Sequence, residues 1–352
     1  MSEKVLMKGN EALAEAAIRC GCTHFFGYPI TPQTELSEYM AKQMPKRGGL
    51  YLQAESEIAA INMVLGAASA GVRVMTSSSS PGISLKCEGI SYLIGSDLPC
   101  VIVNMQRGGP GLGGIQPAQS DYFQATRALG HGDGHAIVLA PATVQEVVNT
   151  TTLAFDLADI YRTPVMILGD GALGQMMEPI DFAEVPRRQC PAKDWACTGT
   201  GMKRPHNIVN SLYIQPEDLE RLVEERFERY AKIEAEEALW EEQNTEDAEL
   251  VLVAYGITAR IAKSAMNMAR EKGLKVGLVR PITLWPFPKK PLDKLSATAK
   301  RFLCVELSMG QMVEDVRLVV NGRAPVDFFG RTGGMLMTPA ELLAQIEERM
   351  GK

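Results

Sequence analysis

The sequence predicts an α/β fold in which parallel sheets carry helices on both faces. Three observations predict it. Runs such as "PCVIVNMQ", "HAIVLA" and "PVMILGD" are continuously apolar, the mark of strands buried on both sides. Between such runs lie segments whose apolar residues recur at helical spacing. The two kinds alternate along the chain, as a parallel sheet with crossover helices requires. A length of 352 residues suits two domains.

Residues 1–180 make the first unit. "GNEALAEAAIRCG" is a helix that ends on Gly21, a good C-cap. "THFFGY" is a short strand. After it Pro29 and Pro32, three apart, fit neither a strand nor a helix interior. Each pushes the residue before it, Tyr28 and Thr31, into extended geometry, so "GYPITPQT" reads as a stiff loop at a strand end. "LSEYMAKQM" is helix, "LYLQAE" strand, "SEIAAINMVLGAASAG" a helix closed by Gly71, and "RVMTSSS" a strand. Pro81 suits the first turn of a helix over "PGISLKCEGISYLIGSD". "DYFQATRAL" and "TVQEVVNTTTLAFDLADIY" are further helices.

Residues 181–214 hold Pro, Gly, Cys and Trp without a period and read as a long ordered connector. Pro216, with Glu217 and Asp218 in the first turn, opens a highly charged helix to about Gln243. Residues 181–245 are thus a connector plus a helix that is either a solvated spacer or packed on a partner chain. Residues 246–352 form a smaller α/β unit. Its strands are "ELVLVAYG", "KVGLVRPI", "RFLCVEL" and "PVDFFG". Its helices are "ITARIAKSAMNMAREKG", "MGQMVEDVRLVVNG" and "TPAELLAQIEERM", the last capped by Thr338 with Pro339 at its first position.

A net charge of −6 argues against a dedicated nucleic-acid binder. No apolar run approaches the ~20 residues of a membrane span, so no membrane partner is expected. The N-terminal segment is acidic early and has no apolar signal-peptide core. Seven cysteines without a CxxC pair read as free thiols of a reduced, cytoplasmic protein.

Several constellations are weighed against bland alternatives. "GDGALG", Gly169 to Gly174, follows a strand and fits a dinucleotide or diphosphate loop by pattern. Prolines close behind it favour a plain strand-end turn. His131 and His135 in "HGDGH" have metal-ligand spacing, but two glycines between them favour a loop. Cys190 and Cys197 lack a second pair, and no metal site is assigned. "SSSS" lacks the strained GxSxG elbow of a hydrolase nucleophile. Glu57 stands out. Ala60, Ile61, Val64, Leu65 and Ala68 follow it on one helical stripe, so it belongs to the buried face, where a carboxylate is costly. The alternatives are a satisfied core acid or a helix N-terminal charge. Arg107 ends a buried strand beside "GGPGLGG", a place from which an arginine can fork onto a carboxylate or phosphate; a surface ion pair is the alternative.

Taken together, "YPITP", "ESEIAA", "TSSSSPGISL", "PCVIVNMQRGGPGLG" and "GDGALG", in this order, resemble the α-subunit of 2-oxoacid:ferredoxin oxidoreductases, over nearly the whole chain. Within that family the chain looks most like the subunit for 2-oxoisovalerate (3-methyl-2-oxobutanoate). The resemblance implies a thiamine-diphosphate pyrimidine-binding domain followed by a transketolase-C-terminal-like domain. It implies thiamine diphosphate shared with a β-subunit that supplies Mg²⁺, diphosphate binding and an iron–sulfur cluster. A γ-subunit and a small ferredoxin-like subunit with further iron–sulfur clusters, coenzyme A as co-substrate and ferredoxin as electron acceptor complete the expected system.

Carried over by position, Glu57 matches the glutamate that bonds the aminopyrimidine ring of the cofactor and favours the tautomer that forms the ylid. Thr31 matches a loop threonine that touches substrate, and Arg107 the arginine that binds the substrate carboxylate. Tyr28, Pro29 and Ile30, with Ser79, Ser80, Pro81 and Gly82, match the cofactor-binding loops; Ser80 stands where many members have glycine. The reaction so implied is oxidative decarboxylation to acyl-CoA and CO₂. Its rivals are the same chemistry on 2-oxoglutarate or pyruvate, a thiamine-dependent decarboxylase or dehydrogenase subunit without ferredoxin, a NAD-dependent dehydrogenase, and a non-catalytic scaffold subunit.

Overall fold

The computed structural model describes residues 4–183 and 185–351. The first three residues of the N-terminal segment weighed above, Glu184 of the connector, and Lys352 lie outside them. Through residue 180 the order is β1 (Val5–Lys8), α1 (Gly9–Arg19), β2 (His24–Gly27), α2 (Thr34–Gln43), β3 (Leu50–Gln53), α3 (Glu57–Ser69), β4 (Val74–Ser78), α4 (Ser80–Gly95), β5 (Cys100–Gln106), α5 (Tyr122–Thr126), β6 (Ile137–Leu139), α6 (Val144–Tyr161), β7 (Pro164–Asp170), α7 (Gly171–Gln175) and β8 (Met177–Ile180). Then come α8 (Pro216–Glu236), β9 (Trp240–Gln243), β10 (Leu250–Val253), α9 (Gly256–Glu271), β11 (Val276–Pro281), β12 (Thr283–Trp285), α10 (Lys289–Leu295), β13 (Arg301–Glu306), α11 (Met312–Val320), β14 (Val326–Gly330) and α12 (Pro339–Arg349).

The large sheet has seven strands in the order β12-β6-β7-β5-β4-β2-β3. All neighbours are parallel except β12, which runs antiparallel to β6. Every residue of β4, β5 and β7 is buried, including the hydroxyls of β4 and the amides of β5. The second sheet, β14-β13-β10-β11-β9, is parallel except for β9. The strands β1 and β8 pair antiparallel as a ribbon beside the large sheet. Thr338 closes a capping box on α12 with Glu341. All seven cysteines are free. Among the described residues no helix is long and apolar enough to cross a membrane.

Three sequence expectations give way. The charged helix ends at Glu236, and Trp240–Gln243 form a strand instead. The acidic run has helix propensity, but the ladder to β11 and the Arg280–Glu241 pair outweigh it. Nor is α8 a free spacer, because its Arg226, Tyr230 and Ile233 are buried against their own chain. There the Tyr230 hydroxyl accepts the His135 backbone N–H at 2.9 Å. Finally, "DYFQATRAL" is helical only over Tyr122–Thr126.

Candidate active site

Parallel strands end together, so the loops behind β2, β4, β5 and β7 meet along one edge of the large sheet. The serine run spans the end of β4 and the turn into α4, and three of its hydroxyls are tied to different partners. Ser77 Oγ donates to Gln33 Oε1 at 2.6 Å, tying the turn to the loop after β2. Ser79 Oγ donates to the Met105 carbonyl at 2.7 Å. Ser80 Oγ donates to Asp121 Oδ2 at 2.6 Å and accepts the Arg107 backbone N–H at 3.0 Å. Ser80 itself has a positive φ of 20°, a backbone conformation that glycine adopts more easily than serine. Pro81 sits in the first turn of α4 as expected.

Glu57 is the first residue of α3, behind the N-cap Ser56, whose hydroxyl accepts the Ala59 N–H at 3.1 Å. It lies inside, as its place on the apolar stripe requires, and is 7 % exposed. Its side chain lies against Gly82. A Cβ at Gly82 would come within 2.7 Å of Glu57 Oε1 and 2.1 Å of Ser78 Oγ. Only glycine lets the carboxylate and this hydroxyl close over the start of α4. Among the described residues Glu57 makes no hydrogen bond, and Ser78 Oγ is buried without a partner. An unpaired acceptor beside an orphaned hydroxyl fits a ligand that brings its own polar ring atoms.

Arg107 directly follows β5, bridges Pro117 and is buried. Its guanidinium donates to the Thr31 carbonyl at 3.0 Å and the Leu112 carbonyl at 3.1 Å, and its Nε has no partner. Thr31 and Arg107, each matched separately to a substrate contact by the resemblance, are thus joined directly. The Thr31 side chain is exposed, Tyr28 and Ile30 are half-buried, and Pro29 is exposed. Asn10 Nδ2 donates to the Pro32 carbonyl at 2.8 Å and fixes this loop on α1. Leu112 and Ile115, beyond Arg107, are exposed.

The structure adds residues that sequence reasoning missed. Asn104 Oδ1 accepts the Ser80 N–H at 3.0 Å and its amide donates to Asp121 at 2.9 Å. Burial pushes the Asp121 carboxyl up, while Ser80 and Asn104 pull it back. Lys86 is fully buried under Glu57's helix, and burial pushes its ammonium down to about 7. Its signal was present: Ile83, Lys86, Ile90 and Leu93 share one helical stripe. "GDGALG" is a strand-end turn, in which Asp170 caps α7 by accepting the Ala172 and Leu173 N–H groups. His131 and His135 lie in a loop, the latter stacked on Trp285 at 4.7 Å. Among the described residues no three His, Cys, Asp or Glu side chains gather to hold a metal.

Comparison with known proteins agrees with this geometry. Residues 15–243 match the family model for pyruvate flavodoxin/ferredoxin oxidoreductase, thiamine diphosphate-binding, and residues 248–342 that for pyruvate:ferredoxin oxidoreductase core domain II. The ketoisovalerate oxidoreductase subunit VorB of Methanothermobacter marburgensis is 48% identical over 99% of this chain and 98% of its own. The solved 2-oxoglutarate:ferredoxin oxidoreductase of Magnetococcus marinus, with 2-oxoglutarate, coenzyme A and succinyl-CoA bound, superposes with a TM-score of 0.89 at 30% identity, over 99% of this chain and 66% of that one. A split-gene transketolase superposes at 0.61 with 14% identity, over 98% of each chain, which is a likeness of fold. The chain belongs to the pyruvate flavodoxin/ferredoxin oxidoreductase family, as an oxidoreductase subunit with a thiamine-diphosphate-binding domain.

Proposed function

We propose that the chain is the α-subunit of a cytoplasmic 2-oxoacid:ferredoxin oxidoreductase that converts 2-oxoisovalerate, coenzyme A and oxidised ferredoxin to the acyl-CoA, CO₂ and reduced ferredoxin. The observation that carries the reading is the seat of Glu57: a buried carboxylate, without a hydrogen-bond partner among the described residues, closed over Gly82. Thiamine diphosphate, when bound, supplies the nucleophilic carbon and the electron sink for decarboxylation. Glu57, 7 % exposed, would hold a proton toward the pyrimidine ring nitrogen of the bound cofactor, where burial strengthens such a bond. Ser78 gives the same region a free hydroxyl. Arg107 receives the substrate carboxylate with the donors that Thr31 and Leu112 leave open, and its hold on the Thr31 carbonyl keeps that loop against the reacting end. Residues 1–180 act as the pyrimidine domain and 246–352 as the transketolase-like domain. Diphosphate, Mg²⁺ and the iron–sulfur clusters belong to a β-subunit, a γ-subunit and a small ferredoxin-like subunit.

Substrate choice follows from the loop side chains. Ile30, Leu112 and Ile115 are apolar, and "GYPITPQT" and "RGGPGLGGIQPAQ" hold no second Arg or Lys beside Arg107. A dicarboxylate would bring an unpaired charge there, whereas each methylene of a branched tail gains about 0.8 kcal/mol on burial. The name of the 48% identical relative supports the same choice. Competition of 2-oxoisovalerate against 2-oxoglutarate and pyruvate in the reconstituted complex tests it. The highest kcat/KM is expected for 2-oxoisovalerate, and a higher value for 2-oxoglutarate would overturn the assignment.

A further inference from the structure

The mechanism above leaves one buried charge without a task. Lys86 has no exposed surface, in the row of α4 that otherwise buries Gly82, Ile83, Gly89, Ile90 and Leu93. Its Nζ donates to Thr76 Oγ1 at 2.6 Å and to the Ser77 carbonyl at 3.1 Å. Among the described residues it makes no ion pair within 4.0 Å. Two neutral hydrogen bonds are poor compensation for taking an ammonium out of water, and stability alone favours an apolar residue in such a place.

The packing of α3 on α4 shows what the charge faces. Glu57 closes over Gly82, and Ile61 closes over Gly89, where a Cβ would come within 2.4 Å of the Ile61 side chain. Lys86 lies between those two glycines on the same face of α4, so its stem passes beneath the turn of α3 that starts at Glu57. Two titratable groups act on it: Glu57 from α3 and Cys100 from β5. Burial pushes the Cys100 thiol far up, so it stays neutral. From β4 the ammonium is bonded by the Thr76 hydroxyl and the Ser77 carbonyl, both uncharged. Glu57 is therefore its counter-charge.

We propose that Lys86 is a positioning residue for Glu57: a buried ammonium, moored on Thr76 and Ser77, that holds the Glu57 carboxylate in place and supplies the positive charge against which it works. The proposal rests on the reading that Glu57 activates the cofactor. The moorings suit the role, since Ser77 is bonded through Gln33 to the loop that carries Thr31. Lys86 thus joins the acid, the serine turn and the substrate loop from below.

The test has two parts. In the full chain, the side-chain ¹³C resonance of Lys86, assigned by its loss in Lys86→Met, is titrated by NMR. Glu57→Gln removes the counter-charge and is expected to lower the Lys86 midpoint by roughly one pH unit. In the reconstituted complex, the ammonium form is the working form, so turnover should decline as pH rises through about 7. Lys86→Arg stays charged and should abolish that decline, whereas Lys86→Met should turn over roughly tenfold more slowly than wild type below about pH 7, with little change in KM, and the gap should close as wild type declines above it. An unmoved Lys86 midpoint in Glu57→Gln, or a wild-type pH profile in Lys86→Met, overturns the proposal. If Lys86→Met does not fold, the Lys86→Arg profile and the shift in Glu57→Gln decide. Normal turnover of Glu57→Gln would instead overturn the cofactor reading, while the NMR shift still decides whether the pair exists.

Discussion

Glu57 is placed by three local facts: the Ser56 cap that starts α3, the apolar stripe that turns its first residue inward, and the glycine that leaves room for it. The first two were legible in the sequence; the third needed the contact across helices. Glu57→Gln is nearly isosteric and should leave the fold intact. Turnover of the cofactor-loaded complex should fall by roughly 10²-fold or more, the scale of proton-transfer catalysis, and near-normal turnover would remove Glu57 from the mechanism. Asp121 and Asn104 were not legible, because nothing in "SDYFQ" or "VIVNMQ" announces that they converge on Ser80. Asp170 gives a pH prediction. Burial pushes its carboxyl up from 3.8 to about 6. The folded chain keeps this proton in that window after the unfolded chain has lost it, so the group's contribution to stability falls as pH rises from 3.8 to about 6. Asp170→Asn cannot ionise and keeps an oxygen for the α7 N–H groups. Urea melts should show its stability relative to wild type rising across that window and level above it. A difference that does not change with pH would contradict the assignment.

At the scale of elements, the β4–α4 turn is the part that cannot be altered quietly. Gly82→Ala sets a methyl 2.1 Å from Ser78 Oγ and 2.7 Å from Glu57 Oε1. Ser78 belongs to a fully buried strand, so Glu57 and the start of α4 must give way. Denaturation should show a loss of about 1–3 kcal/mol, and turnover should fall with it because the carboxylate is displaced. Wild-type turnover in a folded Gly82→Ala chain would show that the seat is not needed. The elements that sequence reasoning found best are those fixed by period and caps: α3, α4, β5, β7 and α12. It failed where a partner strand decides. "WEEQ" continues an acidic helix in propensity, yet β11 takes it as a strand. "TLW" is too short and too close to prolines to read as a strand, yet it finds β6.

That last pairing shapes the whole molecule. The strand β12 leaves the second unit and completes the sheet of the first, so the two halves share a ladder that no composition change marks. Gln119 fastens them further. Its amide donates to the Tyr255 carbonyl at 2.8 Å, while its oxygen accepts the Thr258 hydroxyl at 3.0 Å and the Leu307 N–H at 3.1 Å. The Ile257 backbone N–H also acts on the Asp170 carboxyl across the same junction, favouring its charged form. The chain is thereby built as one frame that presents Glu57, Thr31 and Arg107 along an edge of the large sheet. In the proposed reading this is half a site, with the acid and the arginine for the substrate carboxylate here and the diphosphate and metal ligands on a partner. The direct test is calorimetric titration of thiamine diphosphate with Mg²⁺ into the purified chain, alone and after assembly with its β-subunit. The account predicts weak or no uptake by the chain alone and saturable binding by the assembly. Tight, Mg²⁺-dependent binding by the chain alone would contradict it.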